Sequence, residues 1–235
     1  MRLLAALLLA PAAFAQSFAA RHEHLRGSCT GSLALDERGV VFTSETKAKH
    51  SWKVAWLDVQ QVRLLDTGEI RVLTYQDRRA RLGADREHQL RVADPLFASR
   101  VSALLEYRLE RRFVSGFVPE IKPLWEIPAK HLLRFSGAEG RLVMAADRLQ
   151  FRAARPGHSR DWMFSDIDNV SSSDPYQLTI TTYERARGHF GDRKGFQFRL
   201  KERLDPGLYQ LLWRAVERSK GLDLPMLADE EKYDR

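Results

Sequence analysis

Residues 51–77, SWKVAWLDVQQVRLLDTGEIRVLTYQD, and residues 159–185, SRDWMFSDIDNVSSSDPYQLTITTYER, align without a gap at a shift of 108 positions. Asp58 falls on Asp166, Val59 on Ile167, Val62 on Val170, Ile70 on Leu178, Val72 on Ile180, and Thr74-Tyr75 on Thr182-Tyr183. Downstream the same shift puts Leu90 on Phe198 and Val92 on Leu200. Upstream, a shift of 109 places Gly31 on Gly140, Leu33 on Leu142, Leu35 on Met144, Val40 on Leu149 and Phe42 on Phe151. A repeat of about 110 residues is too long for a solenoid unit and fits two copies of one small domain.

Each copy carries the same local signals. Gly31 to Leu35 alternates, Asp36-Glu37-Arg38-Gly39 turns, and Val40 to Phe42 resumes, which predicts a hairpin. Trp52, Val54 and Trp56 lie two apart and share a strand face. With Trp162 and Phe164 they read as core rather than as a ligand box. Asp66-Thr67-Gly68 is a further turn, and Ile70, Val72 and Thr74 alternate as Leu178, Ile180 and Thr182 do. His88, Leu90 and Val92 make a last strand matched by Phe196, Phe198 and Leu200. Asp94-Pro95 and Asp205-Pro206 each read as an N-cap with Pro at the first helical position. Apolar residues then recur at helical spacing: Phe97, Val101, Leu104, Leu105 and Leu109, then Leu208, Leu212, Ala215 and Val216, with Gly221 as C-cap. Between the copies, Pro119, Pro123 and Pro128 predict an extended connector.

This succession of about seven hairpin-ordered strands, with Asp58-Val59-x-x-Val62 and Asp166-Ile167-x-x-Val170 entering one of them and a helix closing each copy, resembles bacterial pleckstrin-homology-like (PH/GRAM-type) domains. Trp213 lies in the closing helix, where such domains commonly carry a Trp, and the first copy lacks it. The resemblance implies a mainly β fold with one closing helix per domain. The expected order is a signal peptide at 1–15, PH-like domain 1 at 22–112, a Pro-containing linker at 113–127, PH-like domain 2 at 128–221 and a tail at 222–235. Each domain would be a seven-stranded, partly open barrel, the two in tandem. Another small antiparallel barrel or a lipocalin-like can, also duplicated, is the rival fold.

The first residues read as an address. Arg2 is followed by the apolar run Leu3 to Phe14 and by Ala13-Phe14-Ala15, the pattern of a secretory leader cleaved before Gln16. The run is shorter than the ~20 residues that span a bilayer, and Pro11 interrupts it. The expected location is therefore periplasmic or extracellular, with no integral span after cleavage. The whole chain carries net charge +7. Residues 21–112 hold 17 basic and 13 acidic side chains and residues 113–235 hold 20 and 18, so the excess is mild and spread over both halves. That distribution, with export, argues against a nucleic-acid partner and leaves an envelope protein or an anionic membrane surface. The single cysteine, Cys29, excludes an intramolecular disulfide framework and reads as a buried thiol, with an intermolecular bridge as the alternative.

The strongest binding candidate is the loop before the last strand of each copy. QDRRARLGADREH and ERARGHFGDRKGF are both basic, and the shift of 108 pairs Arg79 with Arg187, Arg81 with His189, Leu82 with Phe190, and Arg86 with Lys194. A guanidinium suits phosphate or carboxylate, and an apolar tip beside it suits a membrane surface or a partner pocket. Lys47, Lys49 and His50 form a smaller basic loop that reads as solvation. His22-Glu23-His24 with Cys29 has zinc-ligand chemistry, but it reads as an arm ahead of the first strand, and its spacing matches no standard site, so no metal is expected. Asp166 and Asp168, two apart, suit acid–base work only if they converge, and copy one has Gln60 in the second place. The first hairpin turns hold acidic residues beside single arginines, so phosphoinositide binding does not carry over from the resemblance. The expectation is a non-enzymatic binding or scaffold protein with no cofactor and no catalytic residue. Two alternatives stay open: a carrier of a lipid or small apolar ligand, and a hydrolase using Asp166, Asp168 or Cys29.

Overall fold

The chain builds one mainly β structure from strands that follow the predicted alternation. The computed structural model describes residues 16–24, 27–78, 83–186 and 193–222. In the first half the strands are β1 (Gln16–Glu23), β2 (Ser28–Leu35), β3 (Gly39–Ser44), β4 (Trp52–Ala55), β5 (Val59–Leu64), β6 (Glu69–Asp77) and β7 (Asp85–Val92), followed by helix α1 (Phe97–Leu109) and the short strand β8 (Phe113–Ser115). The second half repeats the series as β9 (Trp125–Leu133), β10 (Ser136–Met144), β11 (Arg148–Ala153), β12 (Arg160–Met163), β13 (Ile167–Ser171), β14 (Gln177–Arg185), β15 (Arg193–Leu200) and helix α2 (Pro206–Ser219).

The strands form one open sheet in the order β13-β14-β15-β9-β10-β11-β12-β8-β5-β6-β7-β1-β2-β3-β4. On either side of β8 the order is the same, each strand of the second half standing where its counterpart stands in the first. The likeness reaches the irregularities. A β-bulge leaves Gln60 out of the β5–β6 register and another leaves Asp168 out of the β13–β14 register. A bulged residue is unpaired and locally sharpens the twist, so its recurrence at one repeat position marks a shared bend. Gly68 makes the β5–β6 turn at φ 75°, a left-handed conformation that costs glycine little.

Each half has its own core. One cluster centres on Leu33, Phe42, Val62, Ile70, Leu90 and the α1 face Phe97, Val101 and Leu105. The other centres on Leu142, Phe151, Ile167, Ile180, Phe196, Phe198 and the α2 face Leu212 and Val216. Trp56, Trp162 and Phe164 are buried, and Trp52 packs against the first cluster, as the alternation predicts. Cys29 is buried.

Three boundaries differ from the sequence reading. The first strand starts at Gln16, because Phe18, Ala20 and His22 alternate inward opposite β2 and β7; His22 is buried, not part of an exposed arm. Within 113–127, the span 113–115 is β8 and β9 begins at Trp125, so the connecting segment without strand is 116–124. Asp205 caps α2 as expected, accepting from the Gly207 N–H at 2.7 Å, with Gly221 just past the helix at φ 79°. In the first half, however, the Phe97 N–H bonds to the Asp94 carbonyl (3.1 Å), so a turn leads in and α1 starts after Leu96.

The equivalent strands β5 and β13, each the end of its own half's run of strands, are covered by different means. β8 pairs in parallel with β5 and meets β12 at Asp161 opposite Ser115, and Arg112 donates to the carbonyls of Trp56 (3.2 Å) and Val59 (2.7 Å). On β13, two α2-side groups reach the backbone: Tyr209 donates to the Val170 carbonyl (3.2 Å) and Lys220 to the Asp168 carbonyl (2.6 Å). Among the described residues no helix is long and apolar enough to cross a membrane.

Candidate functional site

The two basic loops singled out by the repeat join β6 to β7 and β14 to β15. Arg79, Arg81, Leu82, Arg187, His189 and Phe190 lie outside the described residues; Arg86 and Lys194 lie within them, each at the second position of its strand. The stems of the two loops meet. Arg185, at the end of β14, donates through Nη1 to Asp85 Oδ2 and to Gln60 Oε1, both at 2.8 Å. Gln60 Nε2 donates to the same Asp85 oxygen at 2.9 Å. Bonds from Arg185 and Gln60 hold the Asp85 carboxyl below its ordinary range. The same repeat position does parallel work in the second half, where the bulge residue Asp168 pairs with Arg193, the counterpart of Asp85.

Arg86 is exposed, whereas Lys194 turns inward. Its ammonium lies 3.0 Å from Glu184, whose side chain is 4% exposed. Arg160 approaches the same carboxylate at 3.7 Å and Arg63, from the other half, at 3.6 Å. Burial would raise the Glu184 carboxyl, but Lys194, Arg160 and Arg63 together hold it below its ordinary value. Burial, then the neighbouring arginines, lowers the Lys194 ammonium despite its bond to Glu184. Three cations thus surround one carboxylate where the halves meet.

Beside this seam a cavity of about 190 Å³ opens between α1, β8 and the turn Phe164–Asp166. Ser102, Glu106, Phe113, Arg148, Asp161 and Asp166 line it. Arg148 holds Asp161 at 2.8 Å and Asp147 at 3.0 Å, and lies 3.8 Å from Glu106. Asp166 accepts from the Met163 N–H at 3.1 Å. Burial, with the nearby Glu106 and Asp161 carboxylates, pushes its carboxyl up to about 7. The sequence pair Asp166 and Asp168 is not brought together: the bulge turns Asp168 to Arg193, and the carboxylates near Asp166 are Glu106 and Asp161. The cavity can hold a proton and hydrogen-bond a small polar group.

A second cluster sits at the far end of β1. Register places His22 directly opposite Cys29 on β2, and His24 follows on the same side. The ligand atoms of His22, His24 and Cys29 lie within 4.8 Å of one another, and His24 Nε2 is 3.1 Å from Cys29 Sγ. The His24 ring stands 4.4 Å from that of His50, and His22 stands 5.6 Å from His88, which stacks on Trp52 at 4.0 Å. Burial, then the neighbouring His24, His50 and Arg86, lowers His22 to about 4; burial, then Arg86 and His22, takes His88 to about 3. Both imidazoles are neutral near pH 7 and have ring nitrogens free of a second proton.

The reading from sequence missed the Glu184 cluster, the Glu106–Asp161 pair and the convergence of four histidines. The first two join groups 121 positions apart (Arg63 and Glu184) and 55 positions apart (Glu106 and Asp161), and leave no local signal. The histidines left one: the shift of 109 that aligns Gly31 with Gly140 also sets Phe18 on Ile127, Ala20 on Ala129 and His22 on His131, which marks residues 16–23 as a strand.

No family model matches the chain, and no curated protein does. Among solved structures, it is similar to the C-terminal domain of an unknown protein from Leishmania infantum, with 11% identity and a TM-score of 0.31 over 40% of this chain and 84% of that one. It is also similar to the Spt16D Pob3N heterodimer, with 12% identity and a TM-score of 0.35 over 72% of this chain and 82% of that one. At these scores neither likeness carries an argument about fold or function.

Proposed function

We propose that this chain is an exported, non-enzymatic binding protein of two tandem PH-like domains, each a partly open barrel, that presents its two basic hairpin loops together to an anionic partner in the cell envelope. The observation that carries the reading is the bond between Arg185 and Asp85. It ties Arg185, which ends β14, to Asp85, which opens β7, so strand ends that bound two loops found equivalent by sequence repeat are held together. Two modest sites held together act with a high effective concentration toward a partner long enough to touch both. The exposed Arg86 and the basic residues Arg79, Arg81 and Arg187 give the surface its sign. The cavity at the seam mixes charged side chains with Ala103, Phe113, Phe117, Pro119 and Met163, and Asp168 turns away from it to Arg193, which speaks against a hydrolase built on the Asp166 and Asp168 pair.

The test is sedimentation of the mature chain with phosphatidylglycerol-containing and phosphatidylcholine vesicles, beside an affinity capture from native envelope extract. The Arg79→Ser/Arg187→Ser variant runs in parallel. Binding by the parent that falls roughly tenfold in the variant and weakens with salt supports the composite surface, and the arm in which it occurs identifies the partner class. Equal binding by both proteins removes the loops as the site. Binding in neither arm overturns the reading.

A further inference from the structure

We propose that His22, His24 and Cys29 form a binding site for a d10 transition-metal ion, Zn²⁺ or Cu⁺, with His50 placed to serve as a fourth donor. The donor set is the first ground. One thiol and two imidazoles, all with ligand atoms within 4.8 Å of one another, are the combination that soft and borderline cations select over calcium or magnesium. Donors about 2.0–2.3 Å from a tetrahedral ion stand roughly 3.5 Å apart. His24 Nε2 and Cys29 Sγ are already at 3.1 Å, so closing the set takes side-chain movements of about 1 Å.

The second ground is an unpartnered polar group. The His22 residue is 7% exposed, and its Nδ1 has no hydrogen-bond partner among the described residues. A buried nitrogen left without a partner costs free energy that a bound ion would recover. His50, whose Nδ1 is likewise buried and without a partner, lies beside His24.

The third ground is the duplication, which supplies an internal comparison. The corresponding register in the second half places His131 opposite Ala138 and Phe198, and Leu133 stands where His24 stands. There His131 packs among Phe151, Phe196 and Phe198. The fold therefore accommodates a lone histidine at this position as a core ring and does not call for His24 or Cys29. Four of the chain's seven histidines and its single cysteine gather at one end of one half. Packing alone gives no reason for that concentration.

The test uses the reduced, metal-free mature chain and Co²⁺ as a spectroscopic stand-in for Zn²⁺. The expected result is one equivalent of Co²⁺ with a thiolate-to-cobalt charge-transfer band, displaced by Zn²⁺. A parallel titration of Cu⁺ against a chromophoric chelator decides between the two ions. Cys29→Ser should abolish the charge-transfer band, and His24→Gln should weaken Zn²⁺ binding roughly tenfold or more. His158→Ala, at the second-half counterpart of His50, should change nothing. Circular dichroism of each metal-free variant checks folding, and His24, half-buried in a loop, supplies a variant that does not disturb the core. Absence of the charge-transfer band together with no Cu⁺ taken from the chelator by the parent, or metal affinity equal in the parent, Cys29→Ser and His24→Gln proteins, overturns the proposal.

Discussion

Replacing Glu184 by Gln should destabilise the protein far more than an ordinary surface change. The substitution keeps the shape and removes one charge. It leaves Arg63, Arg160 and Lys194 facing each other around a neutral amide, with Lys194 having lost the partner at 3.0 Å. Removing one partner of a buried ion pair costs about 3–5 kcal/mol, since the remaining charge stays desolvated. Chains of this length lose roughly 2–4 °C of Tm per kcal/mol, so a drop on the order of 10 °C is expected by calorimetry near pH 7. The sign of the pH dependence follows from the cations that outweigh burial. A carboxyl held below its ordinary value stabilises the fold above the unfolded pKa of about 4.3 and ceases to do so as pH falls through its lower folded value. The gap between parent and variant should therefore narrow in acid. Adding Lys194→Met to Glu184→Gln should restore part of the loss, because one of the stranded cations is gone. A Tm within about 2 °C of the parent near pH 7, or a double variant no better than the single, would refute the view that this carboxylate organises the seam.

Two further outcomes are expected. Asp166→Asn should raise Tm more near pH 8 than near pH 5: the native carboxyl, pushed up to about 7 by burial, contributes stability that is full below its unfolded pKa of about 3.9 and lost as pH rises through 7. Unfolding scans of parent and variant at both pH values check this, and a variant less stable than the parent at pH 8 would contradict it. Gly140→Ala should cost about 1–3 kcal/mol in urea unfolding, because an added Cβ would strike the Arg152 carbonyl across the β10–β11 pair; Gly31→Ala should do the same against Thr43.

The repeat made most of the fold readable before any coordinates. Alternation at Ile70-Val72-Thr74 and Leu178-Ile180-Thr182 reports a half-buried strand wherever it occurs, and the shift of 108 repeats the evidence. What escaped has physical causes. The inward residues of β1 are Phe18, Ala20 and His22, a weak apolar signal continuous with the apolar run Leu3 to Phe14. β8 is three residues long, too short for any periodicity to show. The seam groups Arg63 and Glu184 are 121 positions apart, and a charged residue within a strand ordinarily reads as solvated. The sequence groups His22 and His24 with Cys29 but not with His50 or His88, and only the cross-strand register of β1 with β2 turns His22 and Cys29 into direct neighbours.

The unequal covering of β5 and β13 bears on self-association. A strand at the end of a sheet is a template whose free backbone groups can recruit another chain, and a duplicated sheet multiplies the risk because each copy's edge resembles the other's. In the first copy β8 occupies that template. If β13 were left open it could accept β4, the strand at the other end of the sheet, from a neighbouring molecule, and head-to-tail repetition of such a contact does not close. Tyr209 and Lys220 already hold the Val170 and Asp168 carbonyls, and the bulge at Asp168 breaks the regular spacing an incoming strand would need. The closing helix of the second copy thus also serves as a guard against fibre growth.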